Sequence, residues 1–236
     1  MSIDVPHAMR VVGPPRSGTN LVKFLVEVNT PIKCHFNSGW WKHALISPAS
    51  EGGEDRGVEL PTVIMFREPV SQILSFFKLS QLGGKALRGA DSLPEFISRP
   101  VYTRHADDLV EYRYSSPIDY LIQYYHAALS WSFHAKAYVD LAELRYDPSL
   151  LGGFLSSHFG EAASHCAFAL PGRYLARNPD VDFALGVEYQ PDTTVEVQDE
   201  ILARLRMQLS ASMLDEINDP SLVRLYEQLR SNRLST

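Results

Sequence analysis

Cysteine is almost missing from this chain of 236 residues: only Cys34 and Cys166 occur. They stand in no C-x-x-C pair and in no Cys/His cluster at zinc spacing, which argues against a disulfide framework and against a structural zinc site. Long apolar runs are missing too. No segment holds the roughly 18 apolar residues in a row that a membrane helix needs, and the start, MSIDVPHAMR, has no apolar stretch behind a basic one. Positive charge is in short supply, with 22 Lys and Arg against 28 Asp and Glu and a formal charge of −6. A broad nucleic-acid or anionic-membrane surface is therefore not expected, and any anion site must be local. These absences point to a soluble protein of a reducing cytoplasm whose partner is a small molecule, neither nucleic acid nor membrane. Its oligomeric state stays open.

An apolar content of 45% in 236 residues suits one α/β domain spanning 1–236. No internal repeat is visible. Short apolar runs alternate with helical patterns, which implies a central parallel sheet with helices on both faces. Met9 to Val12 is the expected first strand, and Thr62 to Phe66 (TVIMF), apolar on both faces, a central one. Leu141 to Tyr146 is the expected third, with one or two short strands around 31–46. Helices are expected over Asn20 to Val28, over Pro69 to Leu82, from a serine cap at Ser116 to about Val139, and through a tail from about Val195 to Leu234 broken near Asp219 and Pro220. Turn formers and charges dominate 47–61 and 83–115, the latter with a helical candidate, SLPEFIS; both read as walls or lids over an acceptor site.

Within that pattern, residues 11 to 24 read VVGPPRSGTNLVKF. Gly13 and Gly18 have the spacing of a phosphate-binding loop, but Thr19 and Asn20 stand where a P-loop needs Lys and Ser/Thr. A strand running into such a turn and then into a helix aims successive backbone N–H groups at one point, and that point attracts an anion. Ser17, Thr19 and Asn20 add polar donors, and Arg16 adds a planar cation suited to phosphate or sulfate oxygens.

A second anchor is FREPVSQILSFF, residues 66–77: Arg67 ends the apolar strand, and Ser75 lies eight residues on inside the helix that Pro69 opens. The carboxyl ends of parallel strands are where α/β folds bind ligands, so Arg67 is placed on the same side as the glycine loop.

The pair PRSGTN and REPVSQILS resembles the two co-substrate motifs of the PAPS-dependent sulfotransferases, enzymes that use 3′-phosphoadenosine 5′-phosphosulfate. The resemblance implies a P-loop NTPase-like sulfotransferase fold, a three-layer α/β/α sandwich. It implies that Pro15, Arg16, Ser17, Gly18, Thr19 and Asn20 hold the 5′-phosphosulfate and that Arg67 and Ser75 hold the 3′-phosphate. LAELRYDPSLL, residues 141–151, is similar to the family's strand ending in R-Y-E-D-L and makes Tyr146 the candidate adenine contact; Trp131 also sits where many members carry a tryptophan. Leu21 departs from the family's tryptophan after the loop, and the late R-K-G segment has no clear equivalent, although PGRYLAR offers Arg173 and Arg177. Such a co-substrate carries fewer charges at each point than a triphosphate, so the Walker lysine and a metal are not required.

The implied reaction moves a sulfuryl group from PAPS to a hydroxyl or amine of a small or medium organic acceptor, and it needs a base near the acceptor proton. Histidine fills that role in the family's cytosolic branch, in a K-x-H pattern. Lys33-Cys34-His35 fits that spacing, whereas Lys42-His43 lacks the intervening residue but lies 24 residues before Arg67, a better length for one crossover. His43 is preferred over His35, with Lys42 as a neighbour able to steady charge on the bridging oxygen. Glu27 and Glu59 are remoter bases. His126 and His134, beside Tyr124 and Tyr125, read as packing residues, and Trp40, Trp41, Tyr102, Tyr112 and Tyr114 as an aromatic acceptor wall. Two other readings stand beside this one: a P-loop-like nucleotide kinase, and a nucleotide-binding module without catalysis.

Overall fold

The computed structural model describes residues 7–36, 42–43, 45, 60–81, 90–104, 111–133, 135–163 and 195–234. Residues 47–59 of the expected first loop, residues 83–89 and 105–110 of the second, and Trp40, Trp41, His134, Cys166, Arg173 and Arg177 lie outside them; Glu59 is among the first.

The centre is a parallel sheet of β1 (Ala8–Val12), β2 (Lys33–His35), β3 (Thr62–Phe66) and β6 (Lys136–Asp140), in the order β2-β1-β3-β6. The two apolar runs recognised in the sequence take the two inner places. Both faces of an inner parallel strand are covered, so every residue of TVIMF is buried. The faces divide by alternation. Val63 and Met65 point with Met9 and Val11 towards α1 (Thr19–Asn29) and α6 (Leu150–Phe159). Ile64 and Phe66 point with Val12 towards α2 (Pro69–Gln81), α4 (Pro117–Ser130) and α9 (Pro220–Ser231). Helices thus lie on both sides of the sheet, as the alternation of patterns implies. Among the described residues no helix is long and apolar enough to cross a membrane.

Two expectations are corrected. The helix begun at Ser116 stops at Ser130, not near Val139, and the third expected strand, Leu141 to Tyr146, is helix α5. The strand of this region is β6, five residues earlier than expected, with Tyr138 opposite Ile64. Asp140 makes the boundary: its backbone is extended, and its carboxylate accepts from the Ala142 N–H at 2.8 Å, an N-cap that turns the good helix formers Leu-Ala-Glu-Leu into a helix.

In the second loop, SLPEFIS forms α3 (Leu93–Ile97), capped by Ser92. Beyond it, β4 (Val101–Arg104) and β5 (Glu111–Tyr114) pair antiparallel, a ribbon hidden in sequence by its charged residues. Tyr114 is buried edge-on against Tyr120 of α4, ring centroids 5.1 Å apart, so this wall is docked onto the sheet's helical layer. The tail breaks twice, before α8 (Ala211–Ile217) with its Ser210 cap and before α9, where Asp219 accepts from the N–H groups of Ser221 and Leu222; α7 (Val195–Arg206) precedes them. α9 packs Tyr226 against Phe66, and the Leu234 N–H then donates to the Tyr138 carbonyl at 3.0 Å, beside β6.

Candidate functional site

The glycine loop leaves β1 at the carboxyl end of the sheet. Arg16, with φ at 69°, and Gly18, with φ at 98°, both adopt left-handed backbone conformations on either side of Ser17. Such alternation curls successive N–H groups into a concave nest suited to an anion. Gly18 is the N-cap of α1 and, as a glycine, offers no side-chain cap to the helix's first N–H groups, which are the positive end of the helix. The Ser17 hydroxyl is buried without a hydrogen-bond partner among the described residues. Both glycines are needed sterically. A Cβ on Gly13 would meet the Met65 carbonyl oxygen at 2.8 Å, and one on Gly18 would lie 2.5 Å from Leu141 Cδ1.

Residues 42–43 lie directly against this loop. The Gly13 N–H donates to the Lys42 carbonyl at 3.0 Å, and the His43 ring nitrogen Nδ1 lies 2.5 Å from the Gly13 carbonyl oxygen. A carbonyl only accepts, so Nδ1 carries the proton and Nε2 the lone pair. Burial, helped by the neighbouring Lys42 charge and opposed by the bond to Gly13, holds the His43 pKa well below 6.5. The ring is neutral at neutral pH. Lys42 is buried, donating from Nζ to Asn20 Oδ1 at 2.6 Å and standing 3.6 Å from the Phe36 ring centroid. The segment is held from behind by α4: the Tyr124 hydroxyl donates to the Lys42 carbonyl at 3.2 Å and the Tyr120 hydroxyl to the His43 carbonyl at 2.8 Å. A third hydroxyl, that of Tyr125, donates to the Arg67 carbonyl at 2.8 Å. Burial raises the pKa of all three phenols, so they remain donors. These tyrosines are positioning residues that pattern alone reads as packing; the available signal was the choice of Tyr over Phe at three buried helical positions.

The second anchor meets the first. Arg16 donates from Nε to Ser75 Oγ at 3.2 Å, and Gln72 Nε2 donates to the Pro15 carbonyl, so α2 is tied to the loop at two points. The Glu68 carboxylate caps α2, accepting from the Val70 and Ser71 N–H groups at 3.1 and 2.8 Å. Arg67 is half-buried, and among the described residues its guanidinium makes no hydrogen bond or ion pair. Burial, then the like charges of Arg145 and Arg16, lower its pKa to about 10, partly offset by Asp199 and Glu68. Arg67 faces a cleft of about 540 Å³ between α2, α5 and α7.

Not every candidate comes to this place. His35 is exposed on the edge strand β2, opposite Arg10 and two residues short of the end of β1. Period-two alternation turns Lys33 and His35 to solvent and Cys34 to the core, and among the described residues the His35 side chain makes no hydrogen bond or ion pair. Tyr146 lines the cleft at its rim and is 93% exposed. Glu27 accepts from the Cys34 N–H at 2.9 Å, which gives it a structural role. Trp131 is buried at the end of α4.

No family model, curated protein or solved structure matches the chain. Fold and site define an α/β protein with a parallel sheet and a glycine loop at the carboxyl end of an inner strand, flanked by a neutral histidine on one side and an arginine cleft on the other.

Proposed function

We propose that this site binds a nucleotide phosphorylated at its 3′ position and sulfated at its 5′ end, and transfers the sulfuryl group to a small or medium organic acceptor. The observation that carries the reading is the Arg16 to Ser75 hydrogen bond. It joins the loop motif to the Arg67–Ser75 motif, 59 residues away in sequence, as a grip on both ends of one ligand requires. The nest at residues 16–18, the uncapped start of α1 and the Ser17 hydroxyl supply donors for the phosphosulfate. Arg16 supplies charge there, and Arg67 with Ser75 takes the 3′-phosphate. Pro15, Thr19 and Asn20 shape the loop, and Tyr146 stands at the rim for the adenine. The reading assigns no role to a Walker lysine or to a metal.

In the transfer, the acceptor oxygen or nitrogen attacks sulfur, its proton passes to His43 Nε2, the bond from sulfur to the bridging phosphate oxygen breaks, and adenosine 3′,5′-bisphosphate (PAP) leaves. Lys42, on Asn20 of the loop, supplies positive charge as that oxygen gains electron density. His43 is preferred to His35 because it is bonded to the loop's first glycine. The test is ligand stabilisation: PAP raises the melting temperature without magnesium, and Arg67→Ala weakens PAP about tenfold or more while adenosine 5′-phosphosulfate, which lacks the 3′-phosphate, is little affected. Stabilisation by ADP with magnesium and not by PAP refutes the reading.

A further inference from the structure

Besides Arg67, the cleft is lined by Arg206 and by Arg145, a guanidinium to which the sequence motifs give no ligand. Arg145, in the last turn of α5, lines it together with Arg67, Ser71, Tyr146 and Asp199. Arg145 is mostly buried, and its two terminal nitrogens meet the two Asp199 carboxylate oxygens at 2.9 Å each, a planar two-bond pairing across 54 residues of sequence. Asp199 comes from α7, and its side chain is 57% exposed. A carboxylate in that geometry presents the same pair of oxygens as a phosphate monoester, which carries more charge and a further oxygen to share with a second cation. The second cation is present: Arg67 lines the same cleft, close enough to Arg145 for their charges to repel and without a bonded anion among the described residues. Glu68, the other carboxylate of the cleft, is engaged by the N–H groups that start α2.

We propose that the cleft between Arg67 and Arg145 is a binding site for a phosphate monoester, and that Asp199 occupies the phosphate position as an intramolecular stand-in that the ligand displaces, releasing α7 from Arg145. In assigning that monoester to the nucleotide's 3′ end, the inference rests on the function proposed above; the cleft itself is tested independently of it.

The probe for the cleft is inorganic phosphate, measured by titration calorimetry on the full chain. Asp199→Asn removes the competing carboxylate and keeps the side chain's size, so phosphate binds roughly two- to fivefold more tightly than to the wild type, the range of a partly exposed ion pair. That gain disappears in the double variant Asp199→Asn, Arg145→Gln, with circular dichroism showing all three proteins folded. Equal phosphate affinity in wild type and Asp199→Asn, or a gain that survives loss of Arg145, overturns the proposal. With PAP and adenosine 5′-phosphosulfate as further probes, Asp199→Asn tightens only the first. If neither nucleotide binds while the Arg145-dependent gain for phosphate persists, the nucleotide reading fails and the cleft stands.

Discussion

The neutral His43 makes a prediction that can be worked through with its sign. Its folded-state pKa lies well below the 6.5 of a free imidazole, because burial and the Lys42 charge outweigh the bond to the Gly13 carbonyl. The unfolded chain therefore takes up a proton on this residue as pH falls through 6.5, while the folded chain does not. Stability attributable to His43 is complete above that pH and declines below it, by up to about 1.4 kcal/mol per pH unit until the folded-state pKa is reached. Between about pH 7 and pH 5.5 the loss is at most about 1 kcal/mol. Urea denaturation of the wild type and His43→Gln at both pH values isolates it, since every other titrating group is common to the two proteins. The wild type should lose about 1 kcal/mol more than the variant over that interval. Identical pH dependence, or a His43 resonance titrating at or above 6.5 by NMR, refutes the buried neutral ring and with it the base assignment. Addition of PAP, an anion placed beside the loop, should move the same titration upward.

Gly18→Ala forces an L side chain into a backbone with φ at 98° and against Leu141, and should cost about 1–3 kcal/mol by urea denaturation. A loss below about 0.5 kcal/mol would mean that the loop does not need its left-handed turn. Ser75→Ala removes the acceptor of Arg16 Nε; stability should change by no more than about 1 kcal/mol, while PAP affinity falls about tenfold by calorimetry. Unchanged affinity would remove Ser75 from the grip.

The parts legible in the sequence are those that neighbouring residues decide. An apolar run such as TVIMF has to be an inner strand because no exposed face could carry it. The glycine loop declared itself by the order of strand, turn formers and helix, and Pro69 marked the start of α2. The boundary of β6 and α5 was misread because KAYVD and LAELRY carry similar local patterns, and one carboxylate, that of Asp140, separates them. The β4–β5 ribbon escaped because charged residues alternate through it and its apolar side is recognisable only against α4.

By itself the sequence determined the glycine loop between strand and helix, the two central strands, and the placing of Arg67 at a strand's end with Ser75 on the helix that follows. Only the tertiary structure tells the surroundings of His43 and His35 apart: both lie near a lysine, and the fold sets one against Gly13 and leaves the other on an exposed edge. It alone aimed three tyrosine hydroxyls of α4 at the carbonyls of residues 42, 43 and 67. It alone brought Asp199 across 54 residues onto Arg145. Periodicity and turn chemistry act between adjacent residues and are written locally; which distant side chains share a cleft depends on how finished elements pack, and no local pattern carries that information.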